Sequence, residues 1–305
     1  MVVANTDHAS VLYEPSAEGI TLISINRPQV RNAVNAPTAK LLAEAFRRFE
    51  NDDTQKVCIL TGSGGQTFCA GYDLHEVATS PSPSASPPNT TLHTTTNPTS
   101  SSLSTRVQPV TTTNPRAELL QDILGPMGPS RMLLTKPLIA AVSGHAVAGG
   151  LELSLLADMR VCDTTAIFGV FCRRWGVPLI DGGTVRLPRV VGLGRALDMI
   201  LTGRSVDAQE ALAMGLANRV VPKGKAVEAA KEIARSLVAF PQLCMRADRR
   251  SAYHGVYEAG SLTEALGFEY RNGIDVVEKE GVQGAAKFDK GQGRGGSFDL
   301  VKGKL

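Results

Sequence analysis

Apolar positions along the chain switch between two periods, and the switches mark its elements. Val11–Tyr13 and Ile20–Ile25 are short apolar runs on either side of the turn-rich Glu14–Gly19, the pattern of a hairpin. From about Ala36 to Asn51 apolar residues recur at helical spacing, with Leu41, Leu42, Ala45, Phe46 and Phe49 assigned to one face. Val57–Leu60 reads as a second buried strand, and the uncharged aliphatic run Pro137–Val142, bounded by turn residues, as a third. After Ser143-Gly144 and the pair Gly149-Gly150, Leu151–Met159 is too apolar to be anything but an interior helix. Arg160–Cys162 predicts a short strand, Ala208–Pro222 a helix giving way to a strand, and helices follow over 225–240, 242–253, 261–272 and 275–286.

One stretch follows neither period. Of the 37 residues in Thr79–Pro115, 26 are Ser, Thr or Pro, and Arg106 is the only charge. Such a segment cannot bury enough apolar surface to offset its ordering entropy. It is expected to be a flexible insertion, a surface loop rather than an active-site lid, followed by a helix over Arg116–Leu124.

Composition narrows the function by exclusion. A net charge of +3 is too small to argue for nucleic acid or an anionic membrane, and no apolar run is long enough for a transmembrane helix. The start, MVVANTDHASVLYE, lacks a basic n-region and an apolar h-region, and the first Arg is Arg27, so neither secretion nor a mitochondrial presequence is expected. The default is an intracellular, cytoplasmic protein. Mitochondrion and peroxisome remain alternatives, the latter because Gly303-Lys304-Leu305 is one residue away from a peroxisomal address. The cysteines form no CxxC, and Cys58 and Cys162 lie in apolar runs as reduced core residues. The scattered histidines give no support for a zinc site.

Candidate chemistry concentrates in Lys136–Asp158, KPLIAAVSGHAVAGGLELSLLAD. A helix that begins at Gly149-Gly150 leaves its first N–H groups unpaired and uncovered by side chains. Such donors, at the positive end of the helix dipole, suit a carbonyl oxygen that gains negative charge during reaction. Three residues on is Glu152, the only charge between Lys136 and Asp158. In so apolar a setting its pKa should rise towards that of a working acid or base. A second reading stands beside that one: Glu152 complements the helix dipole in the first turn. Thr61–Leu74, TGSGGQTFCAGYDL, lets backbone pass close to a ligand but lacks P-loop or Rossmann spacing.

GHAVAGGLELSLLAD resembles the second oxyanion-hole motif of the crotonase (enoyl-CoA hydratase/isomerase) superfamily. Phe68-Cys69-Ala70-Gly71-Tyr72-Asp73-Leu74 resembles the first, and Ala166–Thr184, AIFGVFCRRWGVPLIDGGT, the third signature. The strand–NRP–RNAVN–helix–strand opening, Leu187-Pro188-Arg189, Val191–Ala196, Leu201–Arg204 and Ala208–Pro222 follow the same family in order. The resemblance implies an α/β crotonase (ClpP/crotonase-like) spiral of ββα units. Residues 1–200 would form the core around the insertion at 79–115, and 201–305 a C-terminal helical region that packs between subunits in a homotrimer or dimer of trimers.

The resemblance also implies roles. The N–H groups of Tyr72 and Gly149 would form the oxyanion hole, and Glu152 would be catalytic. Arg31, Ala33, Ala70, Gly71, Asp73 and Leu74 would contact coenzyme A, and Lys287, Lys290 and Arg294 in the tail either are solvated or meet its phosphates. The second glutamate of family hydratases, expected twenty residues after Glu152, is Cys172 here. A thiol is a poor substitute for a carboxylate near neutral pH, so Cys172 is taken as pocket filler and Trp175 as pocket wall or core. Asp181 is the candidate for the missing acid, with capping of a helix that starts near Gly183 as the equal alternative. The implied activity is an enoyl-CoA hydratase, acting on 2-enoyl-CoA thioesters in fatty-acid or related acyl-CoA metabolism without a metal or redox cofactor. Coenzyme A is then part of the substrate. The alternatives are an enoyl-CoA double-bond isomerase with one acid–base carboxylate and a CoA-ester-binding subunit of little activity.

Overall fold

The structure, a computed structural model, describes residues 9–79 and 124–291. The expected insertion (from residue 80 on), all but the last residue of the expected Arg116–Leu124 helix, Arg294, the first eight residues and the C-terminal tripeptide lie outside the described residues. In chain order the first part contains β1 (Val11–Pro15), β2 (Ile20–Ile25), α1 (Ala36–Asn51), β3 (Val57–Gly62), β4 (Thr67–Cys69) and α2 (Leu74–Thr79). The second part opens with β5 (Leu138–Val142), β6 (His145–Val147), α3 (Gly149–Leu156), β7 (Met159–Asp163) and β8 (Ile167–Gly169). Then come α4 (Gly183–Val191), α5 (Leu193–Thr202), β9 (Ser205–Asp207), α6 (Ala208–Ala213), β10 (Arg219–Val221) and α7 (Ala226–Ala239). α8 (Gln242–Tyr257), α9 (Leu262–Val276) and α10 (Val282–Asp289) complete it.

Two sheets organise these elements. The larger has the order β1-β2-β3-β5-β7-β10, antiparallel only in the β1–β2 hairpin and parallel throughout the rest. The smaller has the order β4-β6-β8-β9, with β9 antiparallel to β8. Strands β9 and β10 lie beyond residue 200, so that part of the chain completes both sheets and is not helical throughout.

Parallel strands covered on both faces read as unbroken apolar runs, and the pleat decides which residue serves which face. Cys58, Leu60, Leu138, Ala140 and Val142 face the main core, with Phe46 and Phe49 of α1 and Leu151 and Leu153 of α3. Their neighbours Val57, Ile59, Ile139, Ala141 and Val161 face the opposite way, against Ala226, Ala230, Ile233 and Ala234 of α7. All eight residues of α3 are buried, as its composition requires.

Four expectations need correction. The helix expected over Leu151–Met159 stops at Leu156, and Met159 opens β7. Leu41 is exposed, because the buried arc of α1 centres on Leu42, Phe46 and Phe49, and residue 41 lies about 100° away from residue 42 on an α-helix. The two last predicted helices are continuous: α9 runs through a π-helical turn, Val277–Gly281, straight into α10. α8 extends to Tyr257, four residues past its predicted end. Asp158 anchors α8 to the core, accepting hydrogen bonds from Arg249 Nε and the Tyr253 hydroxyl.

Candidate active site

The site begins with a turn held by one side chain. After the 3₁₀ turn Pro28–Val30, Arg31 and Asn32 both adopt left-handed backbone (φ 54°), a conformation Asn tolerates better than most residues. Buried Asn32 accepts the Arg27 N–H (2.9 Å) and donates to the carbonyls of Ser63 (3.0 Å) and Thr67 (2.7 Å). This fixes the 31–34 segment alongside 70–73. The Ala70 N–H donates to the Arg31 carbonyl (3.1 Å), the Val34 N–H to that of Gly71 (2.9 Å), and the Asp73 N–H to that of Val34 (2.8 Å).

That pairing is a parallel bridge between Val34 and Tyr72. In such a bridge the bonds run to the residues before and after Tyr72, which leaves its own N–H out of the ladder. The Tyr72 hydroxyl donates to Glu76 (2.8 Å); burial and that carboxylate push the phenol up to about 12. Arg27 links the two segments again, reaching the Ala33 carbonyl (2.6 Å) and the Asp73 carboxylate (3.3 Å).

The second amide comes from α3. Ala148 precedes it with φ 52°, an unusual conformation for a residue with a Cβ, and such strain clusters at functional sites. Gly149 is the first residue of α3, so its N–H has no intrahelical acceptor. Among the described residues neither the Tyr72 nor the Gly149 N–H donates to a protein group. The two segments touch. Gly71 has φ 101°, and a Cβ there would stand 2.9 Å from Ala148 Cβ and 3.0 Å from the Gly149 nitrogen.

Glu152 is 2% exposed, and its Oε1 accepts the N–H groups of Asp181 (2.9 Å) and Gly183 (2.8 Å), the latter at the start of α4. Desolvation by burial raises its pKa to about 7. The two N–H bonds and Arg186 oppose that rise, and the Asp181 charge adds to it. Asp181 is 3% exposed; its Oδ1 accepts the Met127 N–H (3.0 Å) and the Ser130 hydroxyl. Its alternative as a cap of α4 does not hold. The cap position is Gly182, and no side chain caps that helix.

A cavity of about 580 Å³ collects most of these groups. Tyr72, Gly149, Glu152, Asp181, Cys172 and Trp175 all line it, with Ala70 and Leu74 on the side of the first motif. Arg31, Ala33, Gly71 and Asp73 are not part of its wall and lie on the paired segments just described. Cys172 is buried, and desolvation followed by the Glu152 charge pushes its thiol up, away from a thiolate. Trp175 is wall rather than core, since it is 70% exposed at the rim. Sequence reasoning did not find Asn32, Met127, Ser130, Phe171 or Arg186. Among the described residues no group of three or more His, Cys, Asp or Glu is placed to hold a metal ion.

Comparisons with known proteins agree on one family. The enoyl-CoA hydratase/isomerase family profile matches residues 16–103 and 131–291. The chain is 35% identical over 237 residues to enoyl-CoA hydratase EchA19 of Mycobacterium tuberculosis, covering 75% of each protein. It is 33% identical over 258 residues to carnitinyl-CoA dehydratase of Salmonella typhi, covering 83% of this chain and 82% of that one. In three dimensions it matches the crystal structure of an enoyl-CoA hydratase from M. tuberculosis H37Rv at a TM-score of 0.74, with 29% identity over 92% of this chain and 96% of the other. An enoyl-CoA hydratase from Bacillus anthracis gives 0.73 at 26% identity. The mixed α/β fold with a helical C-terminal region is that of these solved structures, and sequence and structure agree: the chain belongs to the enoyl-CoA hydratase/isomerase family of the crotonase superfamily.

Proposed function

We propose that the protein is an enoyl-CoA hydratase that adds water across the double bond of 2-enoyl-CoA thioesters. The observation that carries this reading is the pair of buried carboxylates, Glu152 and Asp181, on the wall of a cavity also lined by Tyr72 and Gly149. The thioester oxygen accepts hydrogen bonds from the Tyr72 and Gly149 N–H groups, which stabilise the enolate as it forms. One such donor contributes ~3–4 kcal/mol to catalysis. Glu152 takes a proton from water as the water oxygen bonds to C3, and Asp181 delivers a proton to C2. Solvent then returns a proton to Asp181 and takes one from Glu152, so the net change is one water added and no electrons moved. As written, the reaction calls on neither a metal nor a redox cofactor. Arg31, Ala33, Ala70, Gly71, Asp73 and Leu74 are assigned to the coenzyme A portion. The pairing of segments 31–34 and 70–73 next to the cavity supports this.

Two carboxylates favour hydration over a double-bond shift, which needs a single acid–base group. The relatives named hydratase and dehydratase point the same way. The test is incubation with crotonyl-CoA, longer 2-enoyl-CoAs and 3-enoyl-CoAs while following the conjugated thioester absorbance. Loss of absorbance with 2-enoyl substrates is expected, abolished by Glu152→Gln with acyl-CoA binding intact. Product from 3-enoyl substrates alone would assign the protein as an isomerase, and unchanged turnover in the Gln variant would remove Glu152 from the mechanism.

A further inference from the structure

The turn 125–130, on the C-terminal side of residues 80–123, packs against Asp181. Gly125 and Gly128 bridge each other, and a Cβ on Gly125 would collide with both the Asp181 carboxylate and the Ser130 hydroxyl. The turn therefore closes directly over that carboxylate. Ser130 is fully buried, and its hydroxyl donates to Asp181 Oδ1, the same oxygen that accepts the Met127 N–H. The Ser130 carbonyl accepts Arg186 Nη1 at 2.7 Å. Arg186 belongs to α4, whose first N–H is held by Glu152. A closed ring results: Glu152, the start of α4, Arg186, Ser130, Asp181, and the Asp181 N–H back to Glu152.

We propose that Ser130 is the positioning residue for Asp181, an inference that rests on the hydratase reading and its assignment of Asp181 as the acid for C2. A carboxyl oxygen that already accepts two donors has no room for a proton of its own. A proton on Asp181 must therefore sit on Oδ2, which among the described residues has no protein partner, and Asp181 lines the cavity. Without the Ser130 hydroxyl, the carboxyl group can rotate and place its proton on Oδ1, facing away from the substrate. Glu152 is arranged the same way, with Oε1 occupied by two N–H donors. Both acids line the same cavity, and each has one oxygen committed to two protein donors.

The test uses the full chain and whichever 2-enoyl-CoA is turned over fastest. Ser130→Ala is expected to lower kcat by roughly 10–100-fold with KM changed by less than about twofold, because the loss is in proton delivery and not in binding. Ser130→Thr, which keeps the hydroxyl, should recover most of the rate. In an Asp181→Asn background the Ala substitution should cost less than about twofold more, since residues acting as a unit are not additive. Should the Ala variant fail to fold, Ser130→Cys keeps the shape with a weaker donor and is expected to lose kcat in the same direction. A wild-type kcat in a folded Ala or Cys variant overturns the proposal, as does an equal loss with and without the Asp181 carboxylate. Full activity of Asp181→Asn alone would instead overturn the assignment of Asp181, which is a different failure.

Discussion

The charge state of Glu152 sets two measurable properties. Acting as the base, it must be ionised in the free enzyme, so the rising limb of kcat/KM for hydration against pH should have its midpoint at about 7. A midpoint in the ordinary carboxylate range, near 4 to 5, would contradict a buried base. Stability should move the other way. The unfolded chain releases this proton near 4.5 and the folded protein near 7, so between those values the folded state holds the extra proton. Stability from this group is therefore fully present below about 4.5, declines as pH rises, and is lost above about 7. The whole span corresponds to roughly 3 kcal/mol. Glu152→Gln keeps an oxygen for the Asp181 and Gly183 N–H groups but cannot ionise. Urea titrations at pH 5 and pH 8 should show a smaller loss of stability with pH in that variant than in the wild type. Parallel losses in the two proteins would mean that Glu152 ionises as if it were exposed.

Between elements, the turn after β2 holds the segment that pairs with Tyr72. Asn32 supplies one acceptor and two donors to three different backbone groups, and it does so from left-handed backbone. Asn32→Ala leaves the Ser63 and Thr67 carbonyls and the Arg27 N–H without this partner, and alanine is less at ease at positive φ. A destabilisation of about 2–4 kcal/mol is expected in urea unfolding. Turnover should also fall in the surviving folded fraction, because Tyr72 is positioned through Val34. Wild-type activity with reduced stability would separate the turn from the site. The elements themselves were legible in the sequence wherever one period ran long enough. α1, the parallel strands and α7 follow directly from it, and Glu152 stood out as a lone charge in an apolar helix. Ser130 and Met127 did not. They meet Asp181 across 51 and 54 residues, and nothing local to any of the three encodes that encounter. Asp181 was legible as a candidate acid and equally as a helix cap, because a glycine-rich turn looks the same whether its aspartate caps a helix or lines a cavity.

For the whole molecule, the buried side of the fold accounts for most apolar residues but leaves two ordered stripes uncovered. On α5, Leu193, Leu197 and Leu201 are 63%, 40% and 67% exposed and recur every four residues along one face. On α9 and the turn after it, Leu262, Leu266, Tyr270, Ile274 and Val277 form a second such row, with Leu262 at 75% and Tyr270 at 69% exposure. Single exposed apolar residues are ordinary, but contiguous rows on successive turns mark surfaces that meet another protein. The resemblance to crotonases implies three or six copies of this chain, and a heterologous interface that closes into a ring joins two different patches of each subunit. Sedimentation velocity at micromolar concentration is expected to give a trimer or a dimer of trimers. Leu266→Arg combined with Tyr270→Arg, two charges placed on the α9 row and away from the cavity, should shift the population to smaller species. A monomeric wild type would refute the assembly, and an unchanged mass in the double variant would move the interface off α9.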